Sequence, residues 1–407
     1  MINKLPTGWK IVTIDDVFDV IRGISFPKSA RTEESEHYVG CLRTANVQRT
    51  IEWDDLWKVP SSYLPSKEKL VQENDIIIST ANSLNLLGKS AMVKNVPMPS
   101  TFGTFVVNLR ARLDDPKYLY YYLQSRMFME QVAEQASTTT NISNISTTKL
   151  KRLLVPIPEF SEQKRIVARI EELFSELDNG VETLRKTKQQ LAVYRQAVLK
   201  DAFAHITDKK PIREMSSVVT SGSRGWAQYY SDHGAKFVRI GNLTRDRIQI
   251  DLSDMQYVDL PDGAEGKRTQ LQPNDVLVSI TADLGSIGLV PDAIGEAYVN
   301  QHIAMIRFNN PEQGAFMAWY LRSDYGQEDL LKNKRGGGKL GLGLDDIRDS
   351  RVPVVSDAEA IRIVESIEAR LSVCDSIEKT VDTALQQAEA MRQSILKKAF
   401  EGNHITK

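Results

Sequence analysis

Two short strings in this sequence have residue types found in phosphate-binding or catalytic motifs. Gly336, Gly338 and Gly341 have the GxGxxG spacing that can cradle a phosphate. They follow the basic stretch Lys332–Arg335 and not an apolar strand, which favours a flexible loop that can approach phosphates over a nucleotide site. Glu162-Gln163-Lys164 fits half of a nuclease motif, but no matched acidic residue on a preceding strand accompanies it. A solvated helical turn is the better interpretation there.

Histidine and cysteine are too sparse and too scattered to build a site. The chain has five histidines with no HxxxH-type pair, and its two cysteines, Cys41 and Cys374, have no CxxC spacing. A zinc ribbon, a redox dithiol and a disulfide framework are therefore not indicated. No Ser/His/Asp or Cys/His arrangement can be proposed either. We predict no catalytic residue, no metal, no cofactor and two ordinary buried thiols.

Basic, amide and hydroxyl side chains offer a different chemistry, the recognition of nucleic acid. Lys and Arg can neutralise phosphates, while Arg, Asn, Gln, Ser and Thr can hydrogen-bond to base edges. Polar clusters recur at corresponding places in the two halves, for example at Gly23 and Gly222 or at Asn46 and Asn242. For each residue the alternative is an ordinary surface or turn role. The candidate DNA contacts are Arg22, Lys28, Arg43, Thr44, Asn46, Gln48, Asn82, Ser83, Lys89, Ser223, Arg224, Arg239, Asn242, Arg245, Lys334, Arg335 and Lys339.

Composition bounds the class of protein. A length of 407 residues, with 41% hydrophobic and 26% charged residues, fits two or three globular domains. No run of about 18 apolar residues occurs, and the opening MINKLPTGWK lacks the apolar region of a signal peptide, so we expect a cytoplasmic protein without a membrane partner. The formal net charge is −1, so any DNA site depends on local and not global positive charge.

The elements that would position the candidates form an internal repeat. Val155-Pro156-Ile157 recurs as Val352-Pro353-Val354, and Ala202-Phe203 recurs as Ala399-Phe400. Both recurrences have an offset of 197 residues (352 against 155, 400 against 203), and the register holds over about 49 residues. A match of this length without a gap is not chance.

Each copy of the repeat is predicted to form one long helix. No proline interrupts Ser161 to Phe203, Ser161 is a suitable N-cap, and Ser356 with Glu359 predicts a capping box for the second copy. Apolar spacing by three and four residues predicts a coiled-coil seam. That seam in the first copy is Ile170, Leu173, Leu177, Gly180, Leu184, Thr187, Leu191, Tyr194 and Val198. The alternative is two amphipathic helices in separate cores.

Before each helix lies a segment of about 150 residues with a mixed α/β pattern. Strand-like runs at 75–79 and 275–279 are each preceded by Asn, and Tyr38-Val39 and Phe237-Val238 begin similar strands. The predicted order is therefore domain, helix, domain, helix.

Two segments also match a known family. Leu5-Pro6-x-Gly8-Trp9 opens the first domain, and Val155-Pro156-Ile157-Pro158-x-x-Ser161-Glu162-Gln163-Lys164-Arg165-Ile166-Val167 enters the first long helix. With the tandem order of domains and helices, they make essentially the whole chain resemble the specificity (S) subunit of Type I restriction-modification enzymes. The second copy departs locally, since residues 354–362 replace the usual proline-rich step.

The resemblance implies an α+β fold with two pseudo-repeated α/β target-recognition domains, separated by two long helices that form an antiparallel coiled coil. The implied parts are target-recognition domain 1 at 1–158, a central spacer and docking helix at 159–206, target-recognition domain 2 at 207–355, and a distal helix with the C-terminal tail at 356–407. Each domain would read one half of a bipartite, asymmetric site. The implied partners are double-stranded DNA, two modification (methyltransferase) subunits and restriction (endonuclease/translocase) subunits.

The resemblance also implies a subunit without catalysis. The family's chemistry is adenine methylation after base flipping, which needs a separate catalytic pocket. The nearest string to the methyltransferase Asn/Asp-Pro-Pro-aromatic motif, Asn310-Pro311-Glu312, lacks the second proline and the aromatic residue. The different-class alternative is a coiled-coil scaffold that binds protein without DNA specificity. Specific duplex affinity that falls steeply between about 50 and 200 mM salt distinguishes DNA recognition from such a scaffold.

Overall fold

The computed structural model describes residues 6–31, 37–139, 142–222, 224–261, 268–332 and 341–402. The chain forms two compact units, which we call unit 1 (Met1–Leu184 with Thr383–Lys407) and unit 2 (Arg185–Asp382). Both units mix helices and sheets, so the α+β class is confirmed. Among the described residues, no helix is long and apolar enough to cross a membrane.

Unit 1 contains twelve strands and four short helices in its described residues. They are β1 (Lys10–Thr13), α1 (Ile14–Val17), β2 (Phe18–Arg22), β3 (Tyr38–Leu42), β4 (Trp57–Pro60), β5 (Ile76–Ser79), β6 (Ala81–Asn82), β7 (Ser90–Met92), β8 (Ser100–Phe102), β9 (Val106–Ala111), α2 (Pro116–Leu123), α3 (Arg126–Gln135), β10 (Ser137–Thr138), β11 (Ser143–Asn144), α4 (Thr147–Lys151) and β12 (Leu154–Ile157). The long helix α5 (Phe160–Phe203) follows and continues into unit 2.

The core of unit 1 lies on both faces of a four-stranded antiparallel sheet with strand order β2-β9-β5-β7. Ile76 and Ile78 of β5 pack with the aromatic side chains of α2, whereas Ile77 packs with Leu42 and Phe102 of a second sheet. That second sheet has the order β4-β3-β8, and its β3 and β8 are parallel. Burial on both faces explains why β5 is a continuous apolar run without polar alternation.

Unit 2 repeats this architecture. Its described elements are β13 (Lys209–Pro211), α6 (Ile212–Met215), β14 (Ser216–Ser221), β15 (Tyr230–Ser231), β16 (Ala235–Val238), β17 (Gln256–Val258), β18 (Val276–Ser279), β19 (Ile287–Leu289), β20 (Ala297–Val299), β21 (Ile303–Phe308), α7 (Gly314–Arg322), α8 (Asp324–Leu331), α9 (Leu344–Asp349), β22 (Arg351–Pro353) and the long helix α10 (Asp357–Phe400), which continues into unit 1. The main sheet is β14-β21-β18-β19, and the second sheet is β15-β17-β16-β20 with a parallel pair β16/β20.

The turn before the central strand is the same in both units. Asn74 and Asn274 have positive φ angles of 67° and 66°. Asparagine tolerates this left-handed conformation better than most residues, which explains why Asn precedes both predicted strands.

Each of α5 and α10 has 44 residues. Helix α5 begins one residue before the predicted start, and the carbonyl of Glu159 accepts from the amides of Glu162 and Gln163 at 2.8 and 3.0 Å. Ser161 is therefore not the N-cap. Ser356 is confirmed as the N-cap of α10, because its hydroxyl accepts from the amide of Glu359 at 3.3 Å.

The buried stripe of α5 differs from the predicted seam at two positions. Gly180 and Tyr194 are exposed, while Val181 and Arg195 are partly buried. The other predicted seam positions stay buried or partly buried as far as Val198, so the seam holds along the helix except at these two positions.

Within each unit, the portions of α5 and α10 run antiparallel as neighbours. In unit 2, Lys188 pairs with Asp382 at 2.8 Å and Arg195 pairs with Asp375 at 2.6 Å, so residue numbers fall along α10 as they rise along α5. In unit 1, Asp178 accepts from Arg392. With the repeat offset of 197 residues, Asp375 is the counterpart of Asp178 and Arg392 is the counterpart of Arg195. The two ion pairs are therefore equivalent: the first repeat supplies the aspartate in one pair and the arginine in the other.

Candidate nucleic-acid interface

The loops after β3 in unit 1 and after the corresponding β16 in unit 2 are each built on a buried asparagine. Asn46 is 2% exposed; its side-chain oxygen accepts from the amide of Arg43 at 2.9 Å, and its Nδ2 donates to the carbonyls of Glu52 and Asp55 at 3.0 and 3.1 Å. In unit 2, Asn242 makes the same kinds of bonds. All these bonds lie inside the loop, so we assign Asn46 and Asn242 to holding it and not to contacting bases.

The buried asparagines place an arginine at the start of each loop. Arg43 donates from Nη2 to the carbonyl of Asp55 at 2.8 Å and also contacts its carboxylate, and the corresponding Arg239 lies 3.8 Å from the carboxylate of Asp254. The side chains of both aspartates are exposed. An exposed ion pair contributes about 0–1 kcal/mol, so either arginine can leave its aspartate for a phosphate at little cost.

Three loops of unit 1 lie side by side, and seven sequence candidates fall on two of them. Gln48 Nε2 donates to the carbonyl of Ala45 at 2.8 Å, and the Lys89 ammonium donates to Gln48 Oε1, which joins loop 43–49 to loop 80–89. The amide of Thr80 donates to the carbonyl of Phe105 at 2.9 Å, which adds the turn 103–105. The seven candidates on the first two loops are Arg43, Thr44, Asn46, Gln48, Asn82, Ser83 and Lys89.

Asn82 and Ser83 are held within the second loop. The side-chain oxygen of Asn82 accepts from the amide of Ser83 at 2.8 Å, and the Ser83 hydroxyl donates to Asn85 at 2.7 Å. Asn82 also lies on β6, where its backbone pairs with Ser143 of β11. These contacts orient both side chains while Ser83 stays exposed.

Arg22 and Lys28 lie on the segment that leaves β2. Both are exposed; Arg22 ends that strand, and Lys28 begins a single 3₁₀ turn at Lys28–Ala30. The guanidinium of the next basic residue, Arg31, lies 3.2 Å from the centroid of the Trp57 ring. This cation–π contact brings the basic segment against loop 43–49, because Arg43 lies over the same ring at 4.9 Å.

In unit 2, Arg245 joins the equivalent loops. Its Nε and Nη2 donate to the Asp283 carboxylate, and its Nη2 also donates to the carbonyl of Leu284 at 3.0 Å. The hydrogen bond from Arg245 lowers the pKa of Asp283. Burial lowers the pKa of the neighbouring Arg322 to about 10, with repulsion from Arg245 adding to the shift and Asp246 opposing it.

The remaining candidates of unit 2 divide into two groups. Arg224 is exposed. Ser223, Lys334, Arg335 and Lys339 lie outside the described residues, as do Gly336 and Gly338 of the GxGxxG string.

The matched glycines near the candidates are explained by packing. A Cβ on Gly23 would lie 2.1 Å from the carbonyl oxygen of Gly103, and one on Gly222 would lie 1.9 Å from that of Val299. The correspondence found in the sequence thus reflects the same close approach of two backbones in each unit.

Sequence reasoning missed the aromatic and apolar part of this surface. A cleft of about 360 Å³ in unit 1 lies among Ile24, Arg31, Arg43, Thr44, Trp57 and Phe105. The available signal was Gly103-Thr104-Phe105, which places an apolar side chain in a turn between two strands. The described residues contain no group of three or more His, Cys, Asp or Glu side chains that could hold a metal ion.

The two cysteines are buried and free, as predicted. Burial raises the pKa of the Cys41 thiol to about 12, against the opposing charges of Arg43 and Arg31. At neutral pH this thiol is protonated and is a weak nucleophile although it lies beside the candidate surface.

Comparison with known proteins shows which family this chain resembles. A family model of the Type I restriction modification DNA specificity domain matches residues 6–191. The chain is 26% identical over 98% of its length to the Type I restriction enzyme StySPI specificity subunit of Salmonella potsdam, of which it covers 90%.

Two solved structures have the same fold. A chain from a study of complex assembly and conformational transition of the type I R-M system superposes with a TM-score of 0.76 at 17% identity, with 98% of this chain and 99% of that chain covered. The HsdS subunit from Thermoanaerobacter tengcongensis superposes with a TM-score of 0.56 at 18% identity, with 98% of each chain covered. Residues 6–191 therefore match the family of Type I restriction modification DNA specificity domains, and the resemblance of this chain to specificity subunits extends over nearly its whole length.

Proposed function

We propose that this chain is the DNA sequence-recognition subunit of a Type I restriction-modification complex and has no catalytic activity of its own. One observation carries the proposal: both units have the same loop framework but present different side chains on it. Thr44 corresponds to Ile240, since each follows the arginine of an Asn-based loop. Because base edges are distinguished by the side chains that meet them, two such surfaces read two different short sequences.

The target-recognition domains are residues 1–158 and 207–355, and the helices 159–206 and 356–407 form an antiparallel coiled coil between them. The exchange-related pairs Asp178–Arg392 and Arg195–Asp375 support this pseudo-twofold arrangement. Two unlike readers related by a pseudo-twofold axis recognise a bipartite, asymmetric site with a gap of constant length.

The DNA contacts divide by chemistry. Arg22, Lys28 and Arg224 are exposed and contact phosphates, while Arg43, Arg239 and Arg245 do so after exchanging their aspartate partners. Thr44, Gln48, Asn82 and Ser83 face base edges, and Lys89 supports Gln48. Ser223, Lys334, Arg335 and Lys339 complete the set in the second domain.

Two methyltransferase subunits dock along the long helices, and restriction subunits join that complex. Apolar side chains stay exposed on both helices, which supports docking because large apolar side chains in contact with water favour association. They are Val193 and Tyr194 on α5 and Ile361, Val373, Ile377 and Met391 on α10.

Since the substrate is cellular and incoming DNA, the complex acts in the cytoplasm.

Methylome sequencing with the gene present and absent tests the proposal. A bipartite adenine-methylated motif should disappear with the gene, which would give both function and target. Retention of every methylated motif would contradict the proposed function.

A domain exchange then tests the division between readers. Replacing residues 1–155 by the same region of a relative should change one half of the motif and leave the other half and the gap intact, because each domain reads its own half-site. A chimera with an unchanged motif, or with both halves changed, would refute the division. The native chain expressed from the same plasmid is the matched control.

A further inference from the structure

Phe105 is the most exposed Phe, Tyr or Trp side chain in the described part of the chain, at 65%. It ends the three-residue turn Gly103-Thr104-Phe105, which joins β8 of the second sheet to β9 of the main sheet. An apolar ring held in water at the tip of a turn gains free energy when a partner covers it.

The backbone under this ring is fixed from three sides. The carbonyl of Phe105 accepts from the amide of Thr80 at 2.9 Å, the amide of Val106 donates to the carbonyl of Gly103 at 3.2 Å, and the amide of Gly103 donates to the carbonyl of Leu42 at 2.9 Å. The turn that carries the ring is therefore organised in advance, and its backbone loses little conformational freedom on binding.

The cleft of about 360 Å³ beside Phe105 has the chemistry of a nucleobase site. Ile24 and Phe105 give it apolar walls, Thr44 and Thr104 give hydroxyls, and Arg31 and Arg43 give positive charge. Arg43 Nε is buried without a hydrogen-bond partner, so a donor in this wall is unsatisfied. A planar, partly apolar ligand that carries hydrogen-bond acceptors and is joined to phosphate complements this lining.

In unit 2 a histidine whose ring is already hydrogen-bonded stands where unit 1 has Phe105. His302 occupies the position that corresponds to Phe105, because it directly precedes β21 as Phe105 directly precedes β9. The His302 carbonyl accepts from the amide of Ile280 at 2.9 Å, and the Phe105 carbonyl accepts from the amide of Thr80 at the same distance. The His302 ring is engaged at Nδ1 by the Thr281 hydroxyl at 2.7 Å and at Nε2 by Gln301 at 2.9 Å. The two readers thus differ in kind at this turn.

We propose that the cleft beside Phe105 binds one nucleobase of the first half-site, which leaves the duplex stack and stacks against the Phe105 ring. The proposal rests on the proposed function, since it requires a DNA half-site at unit 1. Unstacking a base costs free energy. Stacking of the base on the aromatic ring and its attraction to the basic lining of the cleft offset this cost. This base is distinct from the adenines that the methyltransferase extrudes into its own pocket.

A mismatch scan on the assembled complex of this chain with its methyltransferase subunits tests the proposal. Each base of the half-site is kept in turn while its partner base is replaced, which lowers the cost of unpairing. A duplex with a mismatch at one position other than the methylated adenines should bind roughly tenfold tighter than the matched duplex, because unpairing of a matched base costs a few kcal/mol. No such position should occur in the second half-site.

Variants assign the effect to the ring. Phe105→Ala should abolish the mismatch gain and weaken binding of the matched duplex roughly tenfold, since base stacking on aromatic side chains carries that magnitude. Phe105→Tyr should keep the gain. Leu113→Ala, which removes a side chain that is 90% exposed elsewhere on unit 1, is the matched control and should bind as the native chain does.

Two outcomes would overturn the proposal while leaving the proposed function intact. In one, Phe105→Ala keeps every mismatch gain. In the other, it weakens assembly with the methyltransferase subunits but not DNA binding, which would make Phe105 a protein contact. Absence of any sequence-specific duplex binding by the native complex would instead contradict the proposed function.

Discussion

Asp75 is 1% exposed but accepts hydrogen bonds on both carboxylate oxygens. Arg110 donates to them from Nε and Nη2, both at 2.8 Å, and the amide of Gln72 and the side chain of Asn108 donate as well. The hydrogen bonds that Arg110 donates to Asp75 raise the pKa of Arg110, although burial opposes the shift. A buried carboxylate needs this full set of partners because water is absent.

Unit 2 has the same pair with one bond fewer. Arg307 donates to Asp275 at 2.8 and 2.7 Å, but Met305 stands where unit 1 has Asn108. The shared arginine and aspartate join the central strand to its neighbour in both sheets, which indicates a structural role for these charges.

At the residue scale we expect Arg110→Met to destabilise unit 1 by about 3–5 kcal/mol, because it leaves the buried Asp75 carboxylate unpaired. Urea unfolding measures the change. The control is Arg112→Met, which breaks an exposed pair with Asp19 and should cost about 1 kcal/mol or less. Equal losses for the two variants would show that Asp75 does not depend on Arg110.

The two long helices end in matched aromatic contacts. Phe400, the last residue of α10, is fully buried in unit 1 with ring centroids 5.3 Å from Tyr118 and 5.2 Å from Tyr122. Phe203, the last residue of α5, lies 5.6 Å from Phe316 and 5.4 Å from Tyr320 in unit 2. Each helix therefore ends against the α/β part of the other repeat.

At the element scale we expect Phe400→Ala to destabilise unit 1 by about 3–5 kcal/mol, since it removes a large buried ring and leaves a cavity. Hydrogen exchange should rise in α2 around Tyr118 and Tyr122 and should stay unchanged in α7. Met391→Ala removes an exposed side chain of the same helix and should change stability by about 0.5 kcal/mol or less. Unchanged exchange in α2 would mean that the ring does not anchor the helix.

The two long helices offer matched segments for a test of the proposed spacer. Lys188 faces Asp382, so residues 188–194 of α5 lie opposite residues 376–382 of α10 within unit 2. One heptad removed from each helix preserves the seam and shortens the pair by about 10 Å.

At the scale of the molecule we expect this paired deletion to shorten the gap in the methylated motif by about three base pairs, at roughly 3.4 Å per base pair, and to leave both half-sites unchanged. Methylome sequencing measures both quantities. A deletion in α5 alone breaks the pairing with α10 and should abolish methylation, which makes it the control for matched length. A constant gap in the paired deletion would show that the helices do not set it.

The sequence by itself determined the repeat, the long helices, four of the strands and the family resemblance. These depend on patterns that can be read along the chain: an offset of 197 residues between the copies, apolar spacing, and Asn before a buried strand. A pattern of this kind persists wherever the segment packs, because it reports backbone conformation and which face is apolar.

Only the tertiary structure decided which polar residues face outward and which rings meet. Asn46 and Asn242 looked like base readers, but their amides satisfy loop carbonyls nine and twelve residues further along the chain. Phe105 gave no polar signal, and its place beside Arg43 and Thr44 depends on contacts between separate strands. Burial and hydrogen-bond partners are set by segments distant in sequence, so residue type and spacing alone do not determine them.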